Sequence, residues 1–416
     1  MRAYHIIGGQ PLRGHISIHG AKNSVLPILS ATLLCRSPCT LHNCPNISDV
    51  DTALEILRAY GCKVTRSGTD IAVDASEAHT ADILPALAGK MRAAVLFLGA
   101  TLARFGSAQT ALPGGCPLGA RPINLHLTGF ERLGASCRQV DDRIVCTAAA
   151  LRACTVALPF PSVGATENLM LAALGAQGQT VLCNAAREPE IVDLADFLRA
   201  CGAQISGAGT SVIRISGEPC LHGAEFTVMP DRMEAATYLA AAAATRGALT
   251  LRGVRCDHLC AVLDVLRRAG CTLQRSGDCL TLSCTELCAC SPISTAPYDG
   301  FPTDAQAPIM ALMATAKGVT VMEETVFSDR FMHVPALRAM GADICAGCTC
   351  AVVRGVASLH GAQVEATELR GGAAMVVAAL GAQGESRITR PEHMQRGYAD
   401  FVDTLRSCGA QINLTE

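Results

Sequence analysis

The feature that most limits the fold of this chain is a short motif that occurs six times at nearly constant spacing. In each copy a Gly follows an amphipathic stretch, and a small residue and a short apolar segment follow the Gly. Gly in this position is typical of a helix C-terminus, where one residue takes the left-handed conformation. The spacing therefore predicts six copies of one structural unit. The marker glycines are Gly61, Gly134, Gly202, Gly270, Gly341 and Gly409.

Each unit is predicted to contain two helices and several strands. An Ala- and Leu-rich helix comes first, a strand and a second helix lead to the marker Gly, and further strands close the unit. This content predicts an α/β fold in which helices pack against sheets. The predicted first helices are residues 23–34, 92–103, 165–174, 233–244, 306–316 and 372–380.

Six units divide naturally into three plus three, which predicts two domains. Gly, Pro and His interrupt the pattern near residues 217–230, where we expect the boundary. The opening strands, at residues 5–9 and 14–19, have no unit before them, so we expect them to pair with the C-terminal half. One domain is then residues 22–229, and the other is discontinuous, with residues 1–21 and 230–416.

Charge and hydropathy argue against two classes of function. The 416 residues carry a formal net charge of −2, which opposes a general attraction to nucleic acid or membranes. No apolar stretch reaches the roughly 18 residues that span a bilayer, and the start lacks the apolar core of a signal peptide. We expect a cytoplasmic protein whose anion sites are local.

The 22 cysteines are expected to be reduced thiols, several of them replacing small apolar residues. Two clusters permit a zinc site as an alternative to ordinary strand and turn positions. Neither shows the paired C-x-x-C signature, so we favour strands and turns and expect no metal. The clusters are Cys284, Cys288 and Cys290, and Cys345, Cys348 and Cys350.

A loop at residues 112–122 presents Cys116 among Gly and Pro residues that favour turns. Arg121 favours a thiolate, and the amides of Gly114 and Gly115 can face an anion. Two interpretations stay open: a reactive thiol beside an anionic substrate, and an ordinary surface turn.

Charged residues, most of them basic, recur at matching places in the units. Helix N-termini favour anions, and the planar fork of arginine suits phosphate and carboxylate groups. A single residue of this kind is usually a solvated surface charge. Their repetition indicates instead a site for a ligand with several negative groups. They include Lys22, Lys90, Arg92, Arg232 and Arg370 at first helices, and Arg121, Arg187, Arg255, Arg330 and Arg396 before second helices.

Specific segments along nearly the whole chain closely resemble the UDP-N-acetylglucosamine enolpyruvyl transferase family. The resemblance implies a two-domain inside-out α/β barrel built from six repeated units, with an active site between the domains. The segments are residues 20–27, 112–122 with His126, 162–166, 184–193, 301–304, 324–327 with 330–334, and 396–398.

The resemblance also implies a reaction. Phosphoenolpyruvate gives its enolpyruvyl group to the 3-hydroxyl of UDP-N-acetylglucosamine and phosphate is released, in the first committed step of peptidoglycan biosynthesis. The partners are these two substrates, without a cofactor, nucleic acid or membrane insertion. Both substrates are anionic, which fits the recurring arginines.

Residue roles follow from the same resemblance. Cys116 is expected to donate a proton and to form an adduct with phosphoenolpyruvate, and Asp304 to act as the base. Lys22 and Arg396 are expected to hold the donor together with Arg121. Local alternatives are a helix N-cap for Asp304 and a turn residue for Ser162. The remaining substrate-binding residues implied are Asn23, Arg92, Pro122, Ile123, Asn124, Leu125, His126, Ser162, Val163, Gly164, Val326, Arg330 and Arg370.

Three positions depart from the family pattern, because Glu368, Gln395 and Asn124 stand where Asp is usual. An added methylene or a lost charge can loosen the ordering of a substrate. They are the only support for a rival function, a non-catalytic nucleotide-sugar sensor. A second rival is enolpyruvylshikimate phosphate synthase, which the Cys116 loop and the nucleotide-sugar segments oppose.

Overall fold

The computed structural model describes residues 2–80, 87, 89, 91–111, 123–217 and 220–415. They form two compact units. The described residues between 20 and 229 make up the continuous unit, and residues 2–19 and 230–415 make up the discontinuous unit. Among the described helices, none combines the length and the apolar composition needed to cross a membrane.

The helices follow the repeat. In the continuous unit they are α1 (Lys22–Ala31), α2 (Ser48–Ala59), α3 (Phe97–Phe105), α4 (Asn124–Arg132), α5 (Val163–Ala173) and α6 (Pro189–Ala200). In the discontinuous unit they are α7 (Arg232–Ala244), α8 (Cys260–Arg268), α9 (Thr303–Met313), α10 (Val334–Ala339), α11 (Leu369–Gly381), α12 (Glu392–Gln395) and α13 (Phe401–Ser407). Short 3₁₀ helices are Thr32–Leu34, Arg92–Leu96 and Cys256–Leu259.

The strands complete each unit. The discontinuous unit opens with β1 (Ala3–Ile7) and β2 (Arg13–Ser17). The continuous unit has β3 (Cys39–His42), β4 (Lys63–Ser67), β5 (Asp70–Asp74), β6 (Ser107–Ala111), β7 (Ser136–Val140), β8 (Arg143–Thr147), β9 (Leu151–Arg152), β10 (Thr155–Ala157), β11 (Ala176–Gln177), β12 (Gln179–Cys183), β13 (Gln204–Ser206), β14 (Val212–Ser216) and β15 (Glu225–Thr227). The discontinuous unit continues with β16 (Ala248–Arg252), β17 (Thr272–Ser276), β18 (Cys279–Ser283), β19 (Ile293–Ser294), β20 (Val319–Glu323), β21 (Asp343–Ala346), β22 (Cys350–Arg354), β23 (Gln363–Glu365), β24 (Glu385–Thr389) and β25 (Gln411–Thr415).

The sheets repeat one pattern, in which an antiparallel trio of strands gains a parallel strand at one edge. In the discontinuous unit the orders are β17-β18-β16-β2, β19-β20-β22-β21 and β23-β24-β1-β25. In the continuous unit they are β15-β3-β5-β4, β10-β12-β14-β13 and the described trio β6-β8-β7, together with the small pair β11-β9. Each of the larger sheets corresponds to one predicted repeat.

The opening strands pair with the C-terminal half, as the sequence predicts. Strand β1 lies antiparallel between β24 and β25, with His5 opposite both Arg387 and Asn413. Strand β2 runs parallel to β16, with His15 opposite Thr250. The chain start therefore supplies strands to two sheets of the discontinuous unit.

The first helices of the units form the interior. Helices α7, α9 and α11 pack against one another, and α11 also packs on β1 and β24. Nearly every residue of these helices is buried, which is typical of a helix that is apolar all round. Helix α1 contacts α3 and α5 in the continuous unit. The sheets therefore lie outside the helices, as an inside-out barrel requires.

The predicted first helices are confirmed, with starts up to three residues earlier than the apolar pattern indicates. The second of them begins with the 3₁₀ segment Arg92–Leu96 and becomes α-helical only at Phe97. All six marker glycines have positive φ, between 90° and 101°. This is the left-handed conformation that ends a helix before the chain turns into the next strand.

The two cysteine clusters considered for zinc lie on strands and turns. Cys345 and Cys350 belong to the paired strands β21 and β22, and Cys348 lies in the turn between them. Cys284 directly follows β18. Among the described residues, neither cluster brings three ligand atoms together.

Candidate active site

In the discontinuous unit, the carboxylate of Asp304 lies between two arginines. Arg330 Nη2 donates to Oδ1 at 2.6 Å. Arg370 donates to Oδ2 from Nε at 3.2 Å and from Nη2 at 3.0 Å. The Arg330 and Arg370 side chains are 2% and 4% exposed, whereas that of Asp304 is 29% exposed. The two buried cations therefore fix the orientation of a carboxylate that remains accessible.

Three separate segments supply this group. Asp304 stands in the first turn of α9, whose N-cap is Pro302, so the alternative in which Asp304 is the N-cap residue is wrong. Arg330 comes from the loop after β20 and also donates from Nε and Nη2 to the Thr303 carbonyl, both at 3.3 Å. Arg370 stands in the first turn of α11. The sequence identified these three residues but did not predict that they contact one another.

Glu368 is the N-cap residue of α11, the helix that carries Arg370. Its side chain accepts from the Arg370 backbone N–H at 2.8 Å and from the Gly371 backbone N–H. A capping carboxylate satisfies amides that have no partner within the helix. The departure from Asp at this position therefore still provides a working cap.

The inner side of Arg370 contacts a tyrosine. Its Nη1 donates to the Tyr398 hydroxyl at 3.1 Å, and that hydroxyl lies 2.8 Å from Thr237 Oγ1. Burial disfavours the charged guanidinium, but Tyr398, Asp304 and Asp231 outweigh it and raise the pKa of Arg370. Arg370 therefore stays cationic although it is buried. Sequence reasoning missed Tyr398 as a partner of this arginine.

Glu324, buried directly after β20, orders the neighbouring loop. Its Oε1 accepts from the backbone N–H groups of Val326 at 3.0 Å and Phe327 at 3.1 Å. Thr295 and Thr303 donate their hydroxyls to the two carboxylate oxygens, both at 2.9 Å. Val326 is thus held in one backbone position. Glu324 belonged to a recognised segment, yet the sequence did not show this role.

In the continuous unit, a second group lies around His126. The Nδ1 atom of His126 is 2.8 Å from Asn168 Nδ2, and Asn168 Oδ1 accepts from the Gly99 N–H at 2.7 Å. A side chain at Gly164 would lie 3.4 Å from the His126 ring, so these two residues are neighbours. Ser162 is the N-cap residue of α5 and accepts from the Ala165 N–H at 3.4 Å. Ser162, Gly164 and His126 therefore lie close together.

Lys22, at the start of α1, has an acidic partner that the sequence did not predict. Its Nζ lies 2.7 Å from Asp49 Oδ2, and both side chains are largely buried. The next residue, Asn23, is exposed, and Ser24 donates to Asp193. The first turn of α1 is therefore anchored on two acidic residues while Asn23 faces solvent.

A buried acidic group lies on α5. Burial and the charges of Glu190 and Glu188 raise the pKa of Glu167 well above its ordinary value. The neutral, protonated form of Glu167 is therefore favoured. Sequence reasoning missed this residue, whose signal was that it is the one charged residue of α5.

The other predicted site residues are either outside the described residues or at the ends of helices in the two units. Cys116, Arg121 and Pro122 fall outside the described residues, as does the side chain of Arg92. Ile123 precedes α4, and Asn124, Leu125 and His126 form its first turn. Val163 begins α5, and Arg396 is the half-buried C-cap residue of α12.

Comparison with known proteins gives relatives over the full chain. The family model described as EPSP synthase (3-phosphoshikimate 1-carboxyvinyltransferase) matches residues 6–405. The chain is 47% identical over 414 residues to UDP-N-acetylglucosamine 1-carboxyvinyltransferase 2 of Carboxydothermus hydrogenoformans, with 99% of each chain covered. It is 45% identical over 413 residues to the protein of the same name from Caldanaerobacter subterraneus subsp. tengcongensis, again with 99% of each covered.

A solved structure agrees with these relatives. The enolpyruvyl transferase NikO from Streptomyces tendae is 28% identical in sequence and has a TM-score of 0.91. The structural alignment covers 100% of this chain and 99% of that one. The fold is therefore that of the enolpyruvyl transferases. With relatives at this identity over its whole length, the chain belongs to the UDP-N-acetylglucosamine 1-carboxyvinyltransferase family of enzymes.

Proposed function

We propose that this enzyme transfers the enolpyruvyl group of phosphoenolpyruvate to the 3-hydroxyl of UDP-N-acetylglucosamine. The observation that carries the proposal is the partly exposed Asp304 carboxylate held by Arg330 and Arg370. A base fixed in this way can take the proton of a sugar hydroxyl, and the arginines suit an anionic substrate.

The reaction proceeds by addition and elimination. The sugar oxygen forms a bond to C2 of phosphoenolpyruvate while the methylene carbon accepts a proton, which gives a tetrahedral adduct. The adduct then breaks its bond to phosphate and returns a proton from the methyl group. We assign proton donation to Cys116 and proton removal from the hydroxyl to Asp304. Positive groups near the developing charge lower the barrier.

Binding of the donor is assigned to Lys22, Arg121 and Arg396, with Arg92, Arg330 and Arg370 adding positive charge. Asn23 is assigned to the tetrahedral adduct, since its exposed amide stands beside Lys22. The ion pair of Lys22 with Asp49 supports donor binding by Lys22, because it fixes an ammonium group at the start of α1.

Binding of the nucleotide sugar is assigned to residues 121–126, to Ser162, Val163 and Gly164, and to Val326. The proximity of His126 to Gly164 supports one shared surface. The hydrogen bonds from Val326 and Phe327 to Glu324 support a backbone prepared for a ligand. We propose that residues of both units serve this one reaction.

We propose that the reaction takes place in the cytoplasm, as the first committed step of peptidoglycan biosynthesis. A chain with 22 cysteines is suited to a reducing compartment, where thiols stay free. The cap formed by Glu368 supports activity in spite of the departure from Asp there.

Phosphate release tests the proposal. The chain is incubated with phosphoenolpyruvate and either UDP-N-acetylglucosamine, shikimate 3-phosphate or no acceptor. Release with the nucleotide sugar alone is expected. Release with shikimate 3-phosphate would establish the synthase instead. Binding of the nucleotide sugar without release in any mixture would support the sensor, and Glu368→Asp, Gln395→Asp and Asn124→Asp would be the first reversions.

A further inference from the structure

Three buried cysteines of the continuous unit lie together, two of them close in sequence and the third from a distant part of the chain. Cys35 follows the 3₁₀ helix Thr32–Leu34, Cys39 begins β3, and Cys201 ends α6. Each is 0% exposed. Their Sγ atoms lie within 4.8 Å of one another. In the described part of the chain, no other trio of His, Cys, Asp or Glu side chains has this spacing.

This three-cysteine cluster differs from the isolated buried cysteines of the same unit. Burial raises the pKa of Cys44 to about 12 and that of Cys62 to about 12, so these thiols stay neutral and pack as small apolar side chains. Within the cluster, by contrast, each thiol lies beside two other sulfur atoms. The cluster is therefore a set of neighbouring ligand atoms inside an apolar core.

The spacing of the sulfurs suits a single metal ion. A Zn–S bond is about 2.3 Å long, so sulfurs that share one ion lie roughly 4 Å apart. The cluster reaches that spacing if its side chains move by less than about 1 Å. Three thiolates on a divalent ion leave one negative charge. Arg104, which donates to the Cys35 carbonyl at 3.3 Å, supplies a nearby positive charge.

We propose that Cys35, Cys39 and Cys201 bind one thiophilic metal ion through three thiolates. Three metal–sulfur bonds form and three thiol protons leave for solvent, without electron transfer. Soft thiolates select ions such as Zn²⁺ and Cd²⁺ over Mg²⁺ or Ca²⁺. The ion joins the end of α6 to β3 and to the segment after α1. It therefore stabilises the folded continuous unit, since the unfolded chain does not hold the three sulfurs together.

Native mass spectrometry of the full-length chain tests whether the three-cysteine cluster binds a metal ion. The protein is kept reduced with a phosphine, stripped of metal, loaded with Zn²⁺ or Cd²⁺ and exchanged against a weak chelator. We expect the wild type to retain one ion and to show thiolate-to-Cd²⁺ charge-transfer absorbance. Cys35→Ala, Cys39→Ala and Cys201→Ala are each expected to lose both. Alanine should fit at position 201, because Ala269 stands at the matching position before another marker glycine, Gly270.

Cys44→Ala is the matched control, since Cys44 is equally buried in the same unit but lies outside the cluster. It should retain the ion. The ion should also raise the thermal midpoint of the wild type and of Cys44→Ala, but not that of the cluster variants. Absence of a retained ion in the wild type overturns the proposal, whether or not the variants fold. Equal retention of the ion in all variants would also overturn the proposal. A disulfide within the cluster that excludes metal would overturn it as well.

Discussion

Arg370 donates two hydrogen bonds, from Nε and Nη2, to a single carboxylate oxygen of Asp304, at 3.2 and 3.0 Å. Its third nitrogen, Nη1, donates to Tyr398 at 3.1 Å. Only a planar guanidinium can make both contacts from one buried position. The orientation of the proposed base therefore depends on the shape of this side chain as well as on its charge.

Replacing the planar guanidinium of Arg370 while keeping its positive charge is expected to impair catalysis. Lysine in Arg370→Lys carries a point charge that cannot reach both Asp304 and Tyr398. We expect turnover to fall by roughly 10²-fold, since small displacements of reacting groups have effects of this size. Phosphate release measures it. Arg354→Lys is the control, because Arg354 is an exposed arginine paired with Asp343 at 3.6 Å. Equal rates for the two variants would contradict the orienting role.

The loop at Val326 provides a test of acceptor binding. Glu324→Ala leaves the Val326 and Phe327 N–H groups without their acceptor. A fully buried donor without its acceptor costs about 1–3 kcal/mol, and these two donors are part-buried. The loop should therefore be less ordered, and we expect KM for UDP-N-acetylglucosamine to rise by up to about tenfold. Glu324→Gln keeps one oxygen for the backbone donors and should stay close to the wild type. A rise in KM for phosphoenolpyruvate alone would show that the loop does not serve the nucleotide sugar.

The thiol of Cys116 is expected to react with fosfomycin, an epoxide that mimics phosphoenolpyruvate. A thiolate near Arg121 is the species that opens an epoxide ring. Intact-mass and peptide analysis should find one adduct, at Cys116. Cys116→Asp should resist the epoxide and keep some turnover, because a carboxylic acid can also donate a proton. No adduct, or an adduct on another of the 22 cysteines, would contradict this assignment.

Features that depend on nearby residues were predictable from the sequence. The first helices and the marker glycines follow from apolar period and from Gly at helix ends, and the structure confirms them. The repeat also indicated that β1 and β2 pair with the C-terminal half. Helix starts were less accurate, because polar first-turn residues such as Thr303 and Asp304 lack an apolar signal.

Contacts between distant segments could not be predicted. Asp304, Arg330 and Arg370 were each identified, but their contact depends on how α9, α11 and the loop after β20 pack. Lys22 with Asp49 is a second example. Cys35 and Cys39 gave no sequence signal of a cluster, since the third sulfur comes from Cys201 at the end of another helix. Residue type indicates chemistry, but only tertiary packing shows which groups meet.

His333 is expected to make the protein less stable in acid. Burial, together with the charge of Arg330, lowers the pKa of His333 from 6.5 to about 3. At neutral pH the side chain is uncharged in both the folded and the unfolded states. Below pH 6.5 the unfolded chain takes up a proton that the folded chain excludes until the pH reaches about 3. Stability should therefore fall by up to about 1.4 kcal/mol per pH unit in this range.

The variant His333→Leu removes the titrating group. Its thermal midpoint, relative to that of the wild type, should therefore rise as the pH is lowered from about 7.5 to about 5. The expected relative gain in the free energy of unfolding is about 2 kcal/mol. The exposed His15 provides the control His15→Gln, which should follow the wild type. A constant difference between His333→Leu and the wild type across this range would mean that the acid sensitivity has another source.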